Sequence, residues 1–459
     1  MVESPPRVRL DEPRRTRVRA DLVAVGLMLL VVAAATAVGA WLNRPGSGVV
    51  ILAGAPPLFA EWLPHYGPGS VFAVLVAIGV VAWGPALATR LRWPALAGAS
   101  YLASVAWIFS LAMVDGWRRG VTDRLTHPYE YLREVPGITD IPAMLRGFSA
   151  RILDFQPDSW TMHVSGHPPA ATLVFVWLDR LGLSGGAWAA IACVLAGALV
   201  TVAVPVTFAA LGRGDQARAM LPFAVLFPGA VWVGVSADGM FAGVTAIGIA
   251  LLALAVRAAS RGGRGAWPLA AVAGLVLGFG VFLSYGLVLL GLVALAVPLA
   301  ARRPVLLIPA VAGALAVVAA FALAGFWWFD GYHLVVERYY QGIATERPYW
   351  YWVWGDLAAV ALAAGPAVVA GVRRVLGQAL RTAPRRWGAL SFVVVAAVLT
   401  IAFADLSGLS KAEVERIWLP FVVWALPATA LLPRVSARWW LAGQAATALL
   451  VNHLVLTSW

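Results

Sequence analysis

The residues best suited to chemistry fall in three separated stretches of the chain. The first closes on His163-x-x-x-His167-Pro168-Pro169, immediately before an apolar run. Two histidines four apart can share a metal ion when both lie on one helical face. The two prolines disturb that geometry, so a metal is not the leading expectation, although a divalent ion stays open. Prolines at a helix start cost little, because the first N–H groups lack partners in any case. The same start favours an anion such as phosphate. Upstream lie the carboxylates Asp115, Asp123, Glu130, Glu134, Asp140, Asp154 and Asp158. Most suit a solvated surface, but a carboxylate beside an attacking hydroxyl is what a general base requires.

The second stretch is VSADGMFAG, where Asp238 is the one acid between two long apolar runs. An ionisable group at such depth points to function, with a turn cap as the plain alternative. The third is DLSGLSKAEVERIWLP, which sets Lys411, Glu413, Glu415 and Arg416 before another apolar run. Arginine suits bidentate contact with phosphate oxygens; an ordinary interfacial ion-pair cluster is the alternative.

The elements that must hold these residues are membrane helices. Of the 459 residues, 61% are hydrophobic and 12% charged, and the mean hydropathy is +0.82. A soluble domain carries roughly 25% charged residues. Only helices and closed barrels satisfy the backbone inside a bilayer. The apolar runs are continuous instead of alternating, which excludes barrel strands. Expected spans are 22–42, 70–90, 95–114, 168–182, 186–211, 219–235, 239–257, 267–283, 286–301, 304–326, 356–372, 388–404, 419–433 and 439–456, so an all-α polytopic bundle of about 11–14 crossings, some of them half-spans. Residues 1–20 read as a basic cytoplasmic tail and 21–459 as a single transmembrane domain. Cys193, the one cysteine, sits in an apolar run and suits packing.

The net charge of +12 does not call for nucleic acid, because the arginines sit between apolar runs. Short basic connectors at 90–92, 212–218, 257–264, 302–303, 373–386 and 434–438 should face the cytoplasm. The segments 43–69, 115–167, 327–355 and 405–418 then face outward. Two full spans between 168 and 211 would put 212–218 on the wrong side; either one of them is partial, or the charge rule fails there. Segment 115–167 has apolar residues at helical spacing, which suits helices lying along the membrane surface. Segment 327–355 is dense in aromatic rings. An interfacial belt accounts for many of them, but not for the interleaved Asp330, Glu337, Arg338, Glu346 and Arg347, nor for Asp356 just beyond.

The acidic outward loop, HPPAATLVFVWLDRLG at a helix start and the lone acid of SADGMFAG together resemble the GT-C superfamily of integral-membrane glycosyltransferases. RYYQGIATERPYWYWVWGDLAA and KAEVERIWLPF resemble motifs of actinobacterial members whose substrates are unassigned. The resemblance covers about 95–433. It implies a GT-C-like helix bundle in the plasma membrane with its site facing outside. It also implies a polyprenyl-phosphate sugar as donor, with mannose or arabinose as candidate sugars, and an envelope glycan or lipid as acceptor. The base then falls to Asp123 or Asp115, with Glu130 next; no adjacent Asp-Asp or Glu-Asp pair occurs in 115–140 to fix it. Arg416, Arg338, Arg347, Lys411 and His167 are expected at the donor phosphate. His163, Asp238, Tyr339, Tyr340, Trp352 and Glu415 are expected at the sugar or acceptor. A flippase for a lipid-linked sugar would use the same cations. A non-catalytic envelope-assembly partner is the third reading.

The topology has a direct test. With Cys193 replaced, cysteines introduced at Ser149, Thr345 and Ser410 should all react with a membrane-impermeant maleimide added outside. A position that reacts only after permeabilisation overturns the assignment.

Overall fold

The structure is a computed structural model that describes residues 14–457. Residues 1–13 of the expected tail lie outside the described residues, and from Arg14 the chain is already helical. Seven helices are long and apolar enough to cross a bilayer: Val18–Leu42, Pro68–Arg90, Trp93–Asp115, Gly186–Ala210, Ala237–Ser260, Pro304–Leu323 and Ala389–Leu406. Two further pairs qualify when each is taken as one broken span, bent by 108° between Tyr349–Ala364 and Pro366–Ala379 and by 111° between Leu419–Leu431 and Arg434–Leu454. Ala266–Val281 and Tyr285–Ala300 are shorter apolar helices. The fold is therefore an all-α polytopic membrane bundle. Its one sheet among the described residues pairs Ala60–Trp62 antiparallel with Val455–Thr457.

The bend at residue 365 has a visible cause. Gly365 takes φ +81°, where a side chain is strained, and Pro366 follows it. Breaking a helix inside a bilayer frees backbone groups that lipid cannot satisfy. The buried Gln444 meets them: its Oε1 accepts from the Ala367 N–H at 3.1 Å and its Nε2 donates to the Ala364 carbonyl at 2.9 Å. Elsewhere small residues let backbones approach, as membrane packing requires. A Cβ on Gly274 or Gly278 would strike the backbone of the Leu307–Leu323 helix, and one on Gly313 would strike Ala271.

Between His167 and residue 211 the structure holds one short helix and one long one. Pro169–Arg180 has 12 residues, and Gly186–Ala210 has 25. At 1.5 Å per residue the first reaches about 18 Å, short of the ~30 Å hydrocarbon core. Of the two alternatives, one partial helix is the one that this length fits. Segment 115–167 forms short turns, the seven-residue helix Ile141–Gly147, which Pro142 helps to start, and the single turn Met162–Ser165. Its apolar residues Val135, Leu145, Phe148 and Ile152 are buried in the main core. The amphipathic helix in this region is instead Trp328–Gln341.

Asp21, completely buried on the first span, ties that helix to the Pro366–Ala379 helix. Arg374 Nη2 lies 2.6 Å from Asp21 Oδ2, and Arg373 Nη1 lies 3.3 Å from Oδ1. Removing one partner of a buried pair leaves an uncompensated charge at a cost of about 3–5 kcal/mol. Asp21→Ala should therefore lower the midpoint of thermal unfolding in detergent markedly. Asp21→Ala combined with Arg374→Met should recover much of that loss; simple additivity of the two changes would disprove the coupling.

Candidate functional site

Two strained turns deliver the centre of the site. Val235, a β-branched residue, takes φ +66°, and Ser236 then caps the next helix by accepting from the Gly239 N–H. That geometry puts Asp238 in the first helical turn, 2% exposed. At the other end Ala412 and Glu413 take φ +71° and +65° in succession. Such residues cost about 1–3 kcal/mol each and persist only where their surroundings over-determine them. Here the Ala412 N–H donates to Asp356 Oδ1 at 3.0 Å and the Lys411 N–H to Tyr339 Oη at 2.8 Å. The Lys411 carbonyl accepts from Arg347 Nη1 at 2.8 Å.

The two turns meet in an ion pair. Arg416 Nη1 lies 2.6 Å from Asp238 Oδ2, and Arg416 Nη2 lies 3.0 Å from Glu413 Oε2. Glu413 Oε1 faces Arg347 Nη1 at 3.3 Å. Lys411 Nζ donates to the Arg347 carbonyl at 2.9 Å. All of these cations are buried, Arg347 to 4% exposure and Arg416 to 5%.

The first outward loop supplies the facing wall. The His163 N–H donates to the Tyr129 carbonyl at 3.0 Å and the Thr161 N–H to Glu134 Oε1 at 3.0 Å, stitching 129–134 to 161–163. Glu130 Oε1 then lies 2.8 Å from His163 Nδ1. Its other oxygen, Oε2, is buried and has no hydrogen-bond partner among the described residues. Tyr131 stacks between the His163 ring (5.9 Å) and the Phe175 ring (5.2 Å), and its hydroxyl lies 3.0 Å from His167 Nδ1. A further wall comes from the segment before the second span. The Phe59 N–H donates to Glu415 Oε1 at 2.9 Å, Arg347 Nη2 donates to the Leu52 carbonyl at 3.3 Å, and the Arg347 guanidinium lies 5.0 Å from the Phe59 ring.

These neighbours set the charges. Burial pushes the Glu130 carboxyl up, but His163 and Arg416 outweigh it and hold the group below its ordinary value. Glu413 behaves alike, with Arg416 and Arg347 outweighing burial. Burial pulls Arg416 down, and Asp238, Glu413 and Glu130 more than restore it, so the guanidinium stays charged. Burial carries His167 down to about 4, leaving a neutral ring. Burial raises Glu415 to about 7, against the pull of the Phe59 N–H and Arg416. Tyr131 is raised well above its usual range, chiefly by burial.

The structure thus gathers Glu130, His163, His167, Asp238, Arg347, Lys411, Glu415 and Arg416 around one buried polar cluster. Tyr339 joins through its bond to Lys411. Trp352 is fully buried with its ring 5.8 Å from the Arg347 guanidinium, and Tyr340 lies at the edge, its ring 5.5 Å from Lys411 Nζ. Three expected residues stand elsewhere. Asp115 sits in its own knot, with His65 Nε2 at 3.0 Å, Arg119 at 2.9 Å and Arg124 at 3.0 Å. Asp123 is half-exposed, 3.5 Å from Arg118. Arg338 pairs with Asp154 at 2.5 Å. Tyr131, Glu413, Asp356 and Phe59 belong to the cluster without having been singled out as site residues. Glu413 had a signal in its place between Lys411 and Arg416, and Tyr131 in its place beside Glu130; nothing in the sequence marked Phe59. Among the described residues no three His, Cys, Asp or Glu side chains are arranged to hold a metal ion.

Two solved structures resemble this fold. One is ArnT from Cupriavidus metallidurans bound to undecaprenyl phosphate, with 19% identity, a TM-score of 0.44, and coverage of 72% of this chain and 59% of that one. The other is the Archaeoglobus fulgidus oligosaccharyltransferase in complex with zinc and sulfate, with 14% identity, a TM-score of 0.43, and coverage of 78% of this chain and 53% of that one. The chain therefore spans a little over half the length of each. No family model and no curated protein sequence matches it.

Glu415 gives the cluster a pH signature. Its folded value near 7 lies above the ordinary 4.5, so between those values the folded state binds more protons than the unfolded state. Its contribution to stability is full below about pH 4.5 and is lost as pH rises towards 7. Glu415→Gln, which keeps the shape and removes the titration, should be more stable than the parent at pH 8 and should flatten the pH dependence of the unfolding midpoint between pH 5 and 8. An unchanged slope in the variant would show that another group carries it.

Proposed function

We propose that this chain is a membrane glycosyltransferase of the GT-C type, moving a sugar from a polyprenyl-phosphate donor to an envelope glycan or glycolipid at the outer face of the plasma membrane. The observation that carries the reading is Glu130: an ionised, buried carboxylate with one oxygen fixed by His163 and the other open, beside the buried Arg416. A general base needs an ionised carboxylate with a lone pair free for the incoming hydroxyl. The motif resemblance of the loop, of HPP and of KAEVERIWLPF points the same way.

In this reading the acceptor hydroxyl attacks the anomeric carbon. Glu130 Oε2 takes its proton, the anomeric carbon–oxygen bond to phosphate breaks, and polyprenyl phosphate leaves. Arg416, Arg347 and Lys411 stabilise the charge that gathers on the leaving phosphate. Tyr340, and Tyr339 beside it, offer rings to the sugar at the edge of the cluster, while Trp352 is buried behind Arg347. Asp115 suits the base less well, because both its oxygens are already taken by Arg119 and Arg124. Asp123 suits it less well because it is half-exposed.

Purified protein supplied with radiolabelled polyprenyl-phosphate sugars, mannose and arabinose among them, should transfer or hydrolyse at least one. Glu130→Gln should lower kcat by about 10²–10⁴-fold, the usual worth of a positioned base, while Asp123→Asn keeps most of the rate. The reverse ranking moves the base to Asp123. Translocation of the lipid without transfer selects a flippase and ends the enzyme reading. Normal envelope assembly in cells carrying Glu130→Gln or Arg416→Ala selects a non-catalytic partner.

A further inference from the structure

His167 has one ring nitrogen committed and one open. Nδ1 lies 2.8 Å from the His163 carbonyl oxygen and 3.0 Å from the Tyr131 hydroxyl. A carbonyl oxygen only accepts, so Nδ1 carries the hydrogen and the Tyr131 oxygen is its second acceptor. The ring is neutral, since burial leaves no second proton on it at neutral pH. Nε2 therefore holds a bare lone pair, and no hydrogen bond reaches it among the described residues. Two aromatic rings lie beside the imidazole, Phe241 at 5.6 Å and Tyr131 at 5.7 Å, each tilted by 54°. The negative charge of Asp238 acts on it directly.

A bare imidazole nitrogen in such a place repels an anion and accepts an O–H. Phosphate is therefore the wrong ligand for it, although its position in the HPP element suggested that role. A neutral hydroxyl beside these aromatic rings is the matching one. We propose that His167 Nε2 accepts a hydrogen bond from one hydroxyl of the donor sugar and so helps to set which sugar the protein takes. The inference rests on the transferase reading for its ligand class. It names an atom and a direction that reading does not require.

Two amide substitutions separate this role from a purely structural one. His167→Asn keeps a donor close to where Nδ1 stood, within reach of the His163 carbonyl, and removes the Nε2 acceptor. His167→Gln places an acceptor close to where Nε2 stood and loosens the carbonyl contact. The probes are the cognate polyprenyl-phosphate sugar and its single-position deoxy analogues, read both by binding to detergent-solubilised protein, through tryptophan fluorescence, and by transfer. His167→Gln should stay within about threefold of the parent, and His167→Asn should lose about tenfold in donor affinity and in kcat/KM, the size of one lost neutral hydrogen bond. One deoxy analogue should bind the parent as weakly as the full sugar binds the asparagine variant, with no further loss when both changes are combined. Near-parental binding by the asparagine variant with impairment of the glutamine variant would show that only the carbonyl contact matters and would overturn the proposal. An equal loss for every analogue would overturn it too. Binding that follows the expected pattern without any transfer would keep His167 as a sugar contact and sink the enzyme reading instead.

Discussion

The pair between Arg416 and Asp238 is the interaction on which the rest of this structure depends. Its partners are 178 residues apart, and both are nearly completely buried. Removing either ion from water costs several kcal/mol, which the other repays only at close range with its remaining donors satisfied. Glu413 supplies the second acceptor for the guanidinium. The backbone yields to make this contact. Val235 lies just before Asp238, and Ala412 and Glu413 just before Arg416, all in left-handed conformations that non-glycine residues avoid. Three of the six left-handed non-glycine residues among the described residues stand beside this one ion pair, which marks it as a place where geometry is held against local preference.

Holding it requires a frame that does not relax. The broken span at Gly365–Pro366 carries Asp356 on its first arm, and Asp356 in turn fixes the Ala412 N–H. Gln444 seals that break by taking the freed backbone groups, so the bend is a defined angle and not a hinge of unsatisfied amides. The loop wall is held from the other direction. Phe59 and Leu52 are bound by Glu415 and Arg347, residues of the cluster itself, and the strand that follows pairs with Val455–Thr457 near the end of the chain. Segments from the beginning, the middle and the end of the sequence thus converge on the same few polar atoms.

Much of this was legible in the sequence, for physical reasons. Continuous apolar runs in a bilayer leave only helices, and an acid such as Asp238 at such depth has to find a cation. The run Lys411–Arg416 announced charge where charge is expensive. The order of importance within the first loop was not legible. Asp115, Asp123 and Glu130 differ in their surroundings, not in their type, and only folding shows that Asp115 is saturated by arginines and Asp123 half-exposed, while Glu130 is enclosed. Arg338 looked equivalent to Arg347, but one faces Asp154 and the other the cluster. The helix after Pro169 falls within two residues of its expected span 168–182, and the turn that follows it falls where the next span, 186–211, was expected to begin.

The charge balance of the cluster bears on how a transfer of the proposed kind would proceed. Three cations, Arg347, Lys411 and Arg416, face Glu130, Asp238 and Glu413, with the carboxyl of Glu415, raised to about 7, and that of Asp356 beside them. A sugar phosphodiester entering such a site meets no bare positive charge, so its ground state gains little. As the anomeric bond breaks, the phosphate gains a second negative charge. In the same step Glu130 takes a proton and loses its own. The cluster becomes more positive by one charge as the phosphate becomes more negative by one. The attraction is then greatest where bond cleavage is well advanced, which is the differential binding that accelerates a reaction and does not merely hold its substrate. An exposed carboxylate such as Asp123, which stands apart from the cluster, lies in water, where screening would deny the arginines most of that benefit. Enclosure of Glu130 with the cations, more than the number of cations, is what would suit the arrangement to the proposed transfer.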